Sequence, residues 1–165
     1  MGDAMHIRPA EEAEVDPLAQ LWFDGWKDAH LRIVPAALAR LRTLESLADR
    51  LRAALARVRV AGPQGAPVGF HLIKGDELYQ FYVSAQSRGT GVAAILMADA
   101  EACLCEAGIE RAWLGCAIGN DRAARFYEKC GWQRVGNIVE RLETSSGEFP
   151  LEVWRYEKSL GLGRP

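Results

Sequence analysis

The residues Arg88-Gly89-Thr90-Gly91-Val92-Ala93 could bind an anion through the backbone alone. Glycines at a turn entering a helix let the chain fold tightly and leave the first helical N–H groups without partners. Those groups stand at the positive end of the helix dipole, where a phosphate or pyrophosphate is the natural guest. Trp22, Trp26 and His30 are spaced four apart, so a helix would align them on one face. They read either as core or as an aromatic wall able to receive a cation. His30 could accept a proton or stand at the surface, and His71, in mid-strand, reads as structural. Cys103, Cys105, Cys116 and Cys130 lack paired CxxC spacing and neighbouring histidines, so they read as buried free thiols and no metal site is expected.

The flanking sequence must supply the elements that hold these groups. Residues 77–83, Glu-Leu-Tyr-Gln-Phe-Tyr-Val, are aromatic and β-branched and too short for a helix, so they read as a strand ending at the glycine turn. The run from Val92, rich in alanine and leucine, reads as a helix closed by Gly108. Upstream, a short strand at 6–9 is followed by an amphipathic helix at 15–30, an interruption at Pro35 and a second helix at 43–57 capped by Thr43. Strands at 58–61 and 68–74 precede the 77–83 strand as an antiparallel meander. Residues 111–117 form the next strand, parallel to 77–83 through a right-handed crossover. A short helix at 122–130 follows, then strands at 133–144 and 151–158 about a turn at 145–150.

The 165 residues are read as one domain, 1–165, with 49% hydrophobic and 25% charged residues, ordinary for a soluble globular protein. A formal charge of −2 offers no footprint for nucleic acid or an anionic membrane. No apolar run reaches the roughly 18–20 residues of a membrane span. The N-terminal residues carry no signal-peptide pattern, with Met5 an alternative start, so a cytoplasmic location is expected.

Three phosphate-binding loops compete for the glycine segment. A Walker loop needs a Gly-Lys-Ser/Thr ending, which is missing. A dinucleotide fold accepts Gly89-Thr-Gly91-Val-Ala-Ala94 but requires a carboxylate ending the next strand, and that strand ends Gly115-Cys-Ala-Ile-Gly119. It also requires parallel strands, whereas antiparallel candidates precede the loop. Third, the loop and the later run Asn120-Asp-Arg-Ala-Ala-Arg-Phe-Tyr127-Glu-Lys-Cys-Gly-Trp132 together resemble the GNAT superfamily of acetyl-CoA-dependent N-acetyltransferases over nearly the whole chain. The superfamily loop Q/R-x-x-G-x-G/A fits here in the register beginning at Arg88, five residues past Val83.

The resemblance implies an α/β (α+β) fold, with a mixed, mostly antiparallel sheet of six to seven strands, a central parallel pair and about four flanking helices. It implies that Arg88, Gly89, Thr90, Gly91, Val92 and Ala93, with Ala94 and Ile95, bind the pyrophosphate of acetyl-CoA. It implies backbone contacts from Val83 and Ser84 to the pantetheine arm, and an oxyanion-stabilising amide at Phe81. Asn120 matches a cofactor-contacting asparagine, and Tyr127 matches a tyrosine near the thioester sulfur that can protonate the leaving thiolate. Glu77 matches the general base of one branch of the superfamily; another branch uses a glutamate where this chain has Gly115. The first helices would wall the acceptor site, bringing Trp22, Trp26 and His30 to it, with Glu148 in the 145–150 turn.

The implied reaction is direct transfer to an amine, without an acyl-enzyme and without a metal, and a homodimer is a family expectation. With no acidic stripe and no basic groove legible, the acceptor classes left open are a small amine or amino acid, an aminoglycoside-like drug, or a protein N-terminus or lysine. A CoA-binding sensor without turnover, and more remotely a dinucleotide-dependent oxidoreductase, are the competing functions.

Overall fold

The computed structural model describes residues 6–161. Strands β1 (Ile7–Pro9), β2 (Val58–Ala61), β3 (Gly69–Lys74) and β4 (Glu77–Val83) pair antiparallel in succession. Strand β5 (Arg111–Ala117) runs parallel to β4, and the long hairpin of β6 (Gln133–Thr144) and β7 (Gly147–Ser159) completes the sheet. Its order is β1-β2-β3-β4-β5-β7-β6. The mixed sheet with one parallel pair is the expected fold and excludes the all-parallel dinucleotide architecture.

Alternation along β2 and β3 decides which helices lie on which face. Val58, Val60, Phe70 and Leu72 share a core with α1 (Val15–His30), α2 (Ala36–Leu41) and α3 (Leu44–Ala54). Arg59 and His71 point the other way, to Asp99 of α4 (Val92–Glu106), at 2.8 and 2.9 Å. On that second face α4 and α5 (Asp121–Lys129) pack with Leu78, Leu114 and Trp132. His71 is therefore structural, as its strand position suggests.

Two irregularities open the sheet where chemistry is expected. The β3–β4 register shifts between Leu72 and Ile73, setting Leu72 opposite Gln80 and Ile73 opposite Leu78. The extra residue, Tyr79, is a bulge that reverses the alternation. Tyr79 and Tyr82 consequently both reach the α1–α3 core, while Leu78 and Phe81 reach the other. Second, β4 and β5 share a single ladder pair, Glu77 with Trp113. Trp113 strengthens it by donating its backbone N–H to Asp76 O and its indole N–H to Asp76 Oδ1, both at 3.1 Å. Beyond that pair no ladder joins the two strands toward Val83 and Ala117.

Several boundaries differ from the sequence reading. Pro35 does not merely interrupt: at φ −60° it is the N-cap of α2, a fifth helix. Thr43 caps α3 as expected, accepting from Ser46 N–H at 3.0 Å, but that helix ends at Ala54 and one 3₁₀ turn follows. The final turn is only residues 145–146, with Gly147 at φ +99° opening β7. Pro150 is tolerated inside β7 because β5 pairs with β7 only as far as Val153, so its missing N–H leaves no ladder bond unmade. Only Cys116 of the four free cysteines is buried; the other three are half-buried.

Candidate active site

The glycine turn delivers the helix tip that its composition implies. Gly89 and Gly91 have φ +78° and +91°, with open space where a Cβ would stand. Backbone conformation, not crowding, therefore calls for glycine here. The first bond of α4 is Ile95 N–H to Gly91 O at 3.2 Å, so the amides of Val92, Ala93 and Ala94 precede it and point outward from the tip. Arg88 Nη2 meets Asp28 of α1 at 3.0 Å, and Arg122 of α5 meets the same carboxylate at 3.3 Å.

From this tip a cavity of about 420 Å³ runs through the β4–β5 gap to the α1–α3 face. Arg88, Gly89 and Ala93 line one end; Leu78, Tyr79, Gln80, Phe81, Tyr82 and Val83 line one flank, with Gly115, Cys116 and Ala117 opposite. Ser84 N–H donates to Val68 O at 2.8 Å, making Ser84 a hydrogen-bonded partner of β3. By alternation Tyr82 also pairs with β3, so the main-chain groups of Val83 and Phe81 face the gap. The Ser84 amide is turned away from it.

At the closed end of the gap Glu77 is 8% exposed and does not line the cavity. Burial, then a hydrogen bond and repulsion from Glu140 of β6, push its carboxyl up to about 9. Glu140 does line the cavity, and its Oε1 occupies the space a Cβ on Gly115 would fill. The absent side chain at 115 is thus the room in which a glutamate from β6 lies. Burial and the neighbouring Glu140 carboxyl together keep a proton on Glu77 through neutral pH. Glu140 escaped the sequence reading because nothing local signals that a residue of β6 reaches across to β5.

Tyr127 and Phe126 line the cavity from α5, with Phe126 stacked on Phe81 at 5.5 Å between ring centroids. Burial raises the Tyr127 hydroxyl above its ordinary value, so it keeps its proton. Asn120 also lines the cavity while its Oδ1 accepts from Ala123 N–H at 3.4 Å to cap α5. Cys116 lies in the wall, but burial pushes its thiol up to about 12, which suppresses the nucleophilic thiolate.

Trp22 and Trp26 are both core and cavity wall, at 1% and 6% exposure. His30 stacks on Trp26 at 5.1 Å and its Nδ1 donates to Trp26 O at 3.0 Å. This leaves Nε2 as an acceptor. Burial pushes the ring down to about 4, so it is neutral at pH 7 rather than a charged surface group. Glu148 is exposed on the β6–β7 hairpin and is not among the lining residues. Arg42 and Arg50, which the sequence did not single out, are in the lining. Away from the cavity, His71, Asp99 and Cys103 place ligand-type atoms within 4.8 Å of one another, but the Asp99 carboxylate there is held by Arg59 Nε and Nη2.

Known proteins fit this geometry. Residues 18–132 match the model of the Acetyltransferase (GNAT) family. An uncharacterized N-acetyltransferase of Mycobacterium tuberculosis is 40% identical over 114 residues, covering 66% of this chain and 70% of that protein. A GCN5-related N-acetyltransferase of Rhodopseudomonas palustris superposes with a TM-score of 0.71 at 21% identity, over 93% of this chain and 94% of that one. The PaiA N-acetyltransferase of Thermoplasma acidophilum, solved with coenzyme A, superposes at 0.63 and 20% identity, over 93% and 98%. With the family model spanning both the glycine turn and the asparagine–tyrosine segment, this chain belongs to the GNAT family of N-acetyltransferases.

Proposed function

We propose that the chain moves an acetyl group from acetyl-CoA to a primary amine by direct attack within a ternary complex. One observation carries this reading: the cavity passes through the unpaired stretch between β4 and β5, with bare helix amides at one end and a carboxylate at the other. The amides of 92–94 and the glycine turn 88–91 hold the pyrophosphate at the dipole's positive end. Main-chain groups of Val83 pair with the pantetheine arm as a further strand would. The Phe81 amide donates to the thioester oxygen as negative charge develops there.

An alkylammonium is almost wholly protonated at neutral pH, so its proton must leave before the nitrogen can attack. Glu140, the cavity-facing member of the carboxyl pair, accepts it, and Glu77 holds Glu140 in place through the hydrogen bond between them. As the tetrahedral centre collapses, Tyr127 gives its proton to the departing thiolate. His30, neutral and fixed by Trp26, contributes an acceptor nitrogen to the acceptor side of the wall.

The test is thiol release from acetyl-CoA across amine classes, alongside melting with and without the thioester. Acetyl-CoA raises the melting temperature, and Tyr127→Phe slows transfer by about 100-fold without losing that rise. A chain stabilised by acetyl-CoA that releases thiol with no amine would be a binding module, and the transfer reading would fail.

A further inference from the structure

The acceptor end of the cavity contains more positive charge than the one carboxylate beside it can balance. Arg42, at the C-terminal cap of α2, is 6% exposed and lines the cavity. Its Nη1 donates to the carbonyl oxygen of Glu143 at 2.5 Å, and its buried Nε has no hydrogen-bond partner. Among the described residues no carboxylate lies within salt-bridge distance of it. Arg50, on α3, lines the same end and lies over the Trp22 ring at 4.7 Å. Its Nη2 donates to the Tyr79 hydroxyl at 2.9 Å, its buried Nε also lacks a partner, and Glu143 stands 3.7 Å away. Glu143 is shared with Lys74 at 3.2 Å, so one carboxylate serves both Arg50 and Lys74 while Arg42 has none.

Burying a guanidinium without a counter-charge is costly, and an unsatisfied buried donor adds to the cost. Both guanidinium groups line the cavity, and such donors match a carboxylate. Glu140, proposed above to take the amine proton, is three residues before Glu143 on β6, about 10 Å along the strand. The acceptor side of the cavity is therefore polarised, with a carboxylate for the ammonium and two under-neutralised cations further along it.

We infer that the acceptor is a small amine that also carries a carboxylate, which Arg42 and Arg50 bind while the amine faces Glu140. This rests on the acetyl-transfer reading for its chemistry, but the arginine site can be measured without turnover. The amine and the carboxylate of such an acceptor are separated by several bonds, so chain length decides how well both ends engage.

The experiment compares glycine, β-alanine, γ-aminobutyrate and ε-aminocaproate with their methyl esters, by thiol release and by calorimetric binding to the CoA-loaded protein. At least one aminocarboxylate is expected to exceed its ester by about 10- to 100-fold in kcat/KM, the range of charge-assisted hydrogen bonds. Arg50→Gln collapses that ratio toward one, and Arg50→Lys restores part of it. Arg42→Gln does the same where it folds; if it does not, the Arg50 variants decide. An aminocarboxylate that binds wild type but not Arg50→Gln, without being acetylated, retains the arginine site and removes the transfer reading. Transfer with equal rates for acids and esters, or a ratio unchanged in Arg50→Gln, overturns the site and leaves transfer standing. Absence of aminocarboxylate binding and of turnover overturns it as well.

Discussion

At the scale of single residues, the two glutamates divide what one had been expected to do. Glu77 was singled out through the family resemblance, by its offset from Val83 on one strand. Its proton-bearing state was not legible, since that depends on burial and on Glu140, 63 positions further on by the numbering. The two roles separate by mutation. Glu140→Gln removes the proposed proton acceptor and is expected to lower kcat by about 100-fold or more, with acetyl-CoA affinity intact. Glu77→Gln keeps a donor toward Glu140 and costs less; steady-state kinetics showing the reverse order would make Glu77 the proton acceptor. Stability supplies a second readout. The native state holds a proton on Glu77 that the unfolded chain releases above about pH 4.5, so this group's contribution is lost as pH rises toward about 9. Melting followed across that window should fall in wild type and flatten in Glu77→Gln.

At the scale of elements, two glycines do different work for the same cavity. Gly91 needs its left-handed φ of +91° to aim the α4 amides, and a Cβ there would meet no neighbour. Gly91→Ala is expected to cost about 1–2 kcal/mol in backbone strain and to weaken acetyl-CoA binding by calorimetry. Gly115 has ordinary strand geometry, and a Cβ there would displace the Glu140 carboxylate. Gly115→Ala should therefore reduce transfer while leaving acetyl-CoA affinity near wild type; if affinity falls and transfer at saturation does not, the glutamate is not the group held there. The first glycine is readable locally, from a turn between a strand and a helix. The second is not, because the atom that requires it comes from another strand. The bulge at Tyr79 is hidden for a similar reason, since register is a property of two strands together.

At the scale of the molecule, acid acts through different groups from base. Glu14 lies buried, paired with Arg8 at 2.7 Å and accepting the amides of Glu11 and Gly65, which ties β1 and the 62–67 turn to the start of α1. Arg8 foremost holds its carboxyl down at about 2, so that contribution is lost as pH falls from about 4.5 toward 2. His30, neutral at pH 7, destabilises in the same direction, from about 6.5 toward 4. Glu14→Gln should lose about 1–3 kcal/mol at pH 7 in denaturant melts and show a shallower acid limb; an unchanged limb would place the acid sensitivity elsewhere. Apart from α2, the order of elements, the parallel β4–β5 pair, the helix tip and the asparagine–tyrosine helix were legible in the sequence. Each rests on periodicity, turn chemistry or the strand–helix–strand connection. Which residues share the cavity was decided only by the tertiary structure: Glu140 against Gly115, Arg42 with no carboxylate in reach, Arg50 sharing Glu143 with Lys74, Glu148 left outside. Strand register, burial and desolvation couple residues far apart in the chain, and no local pattern encodes their sum.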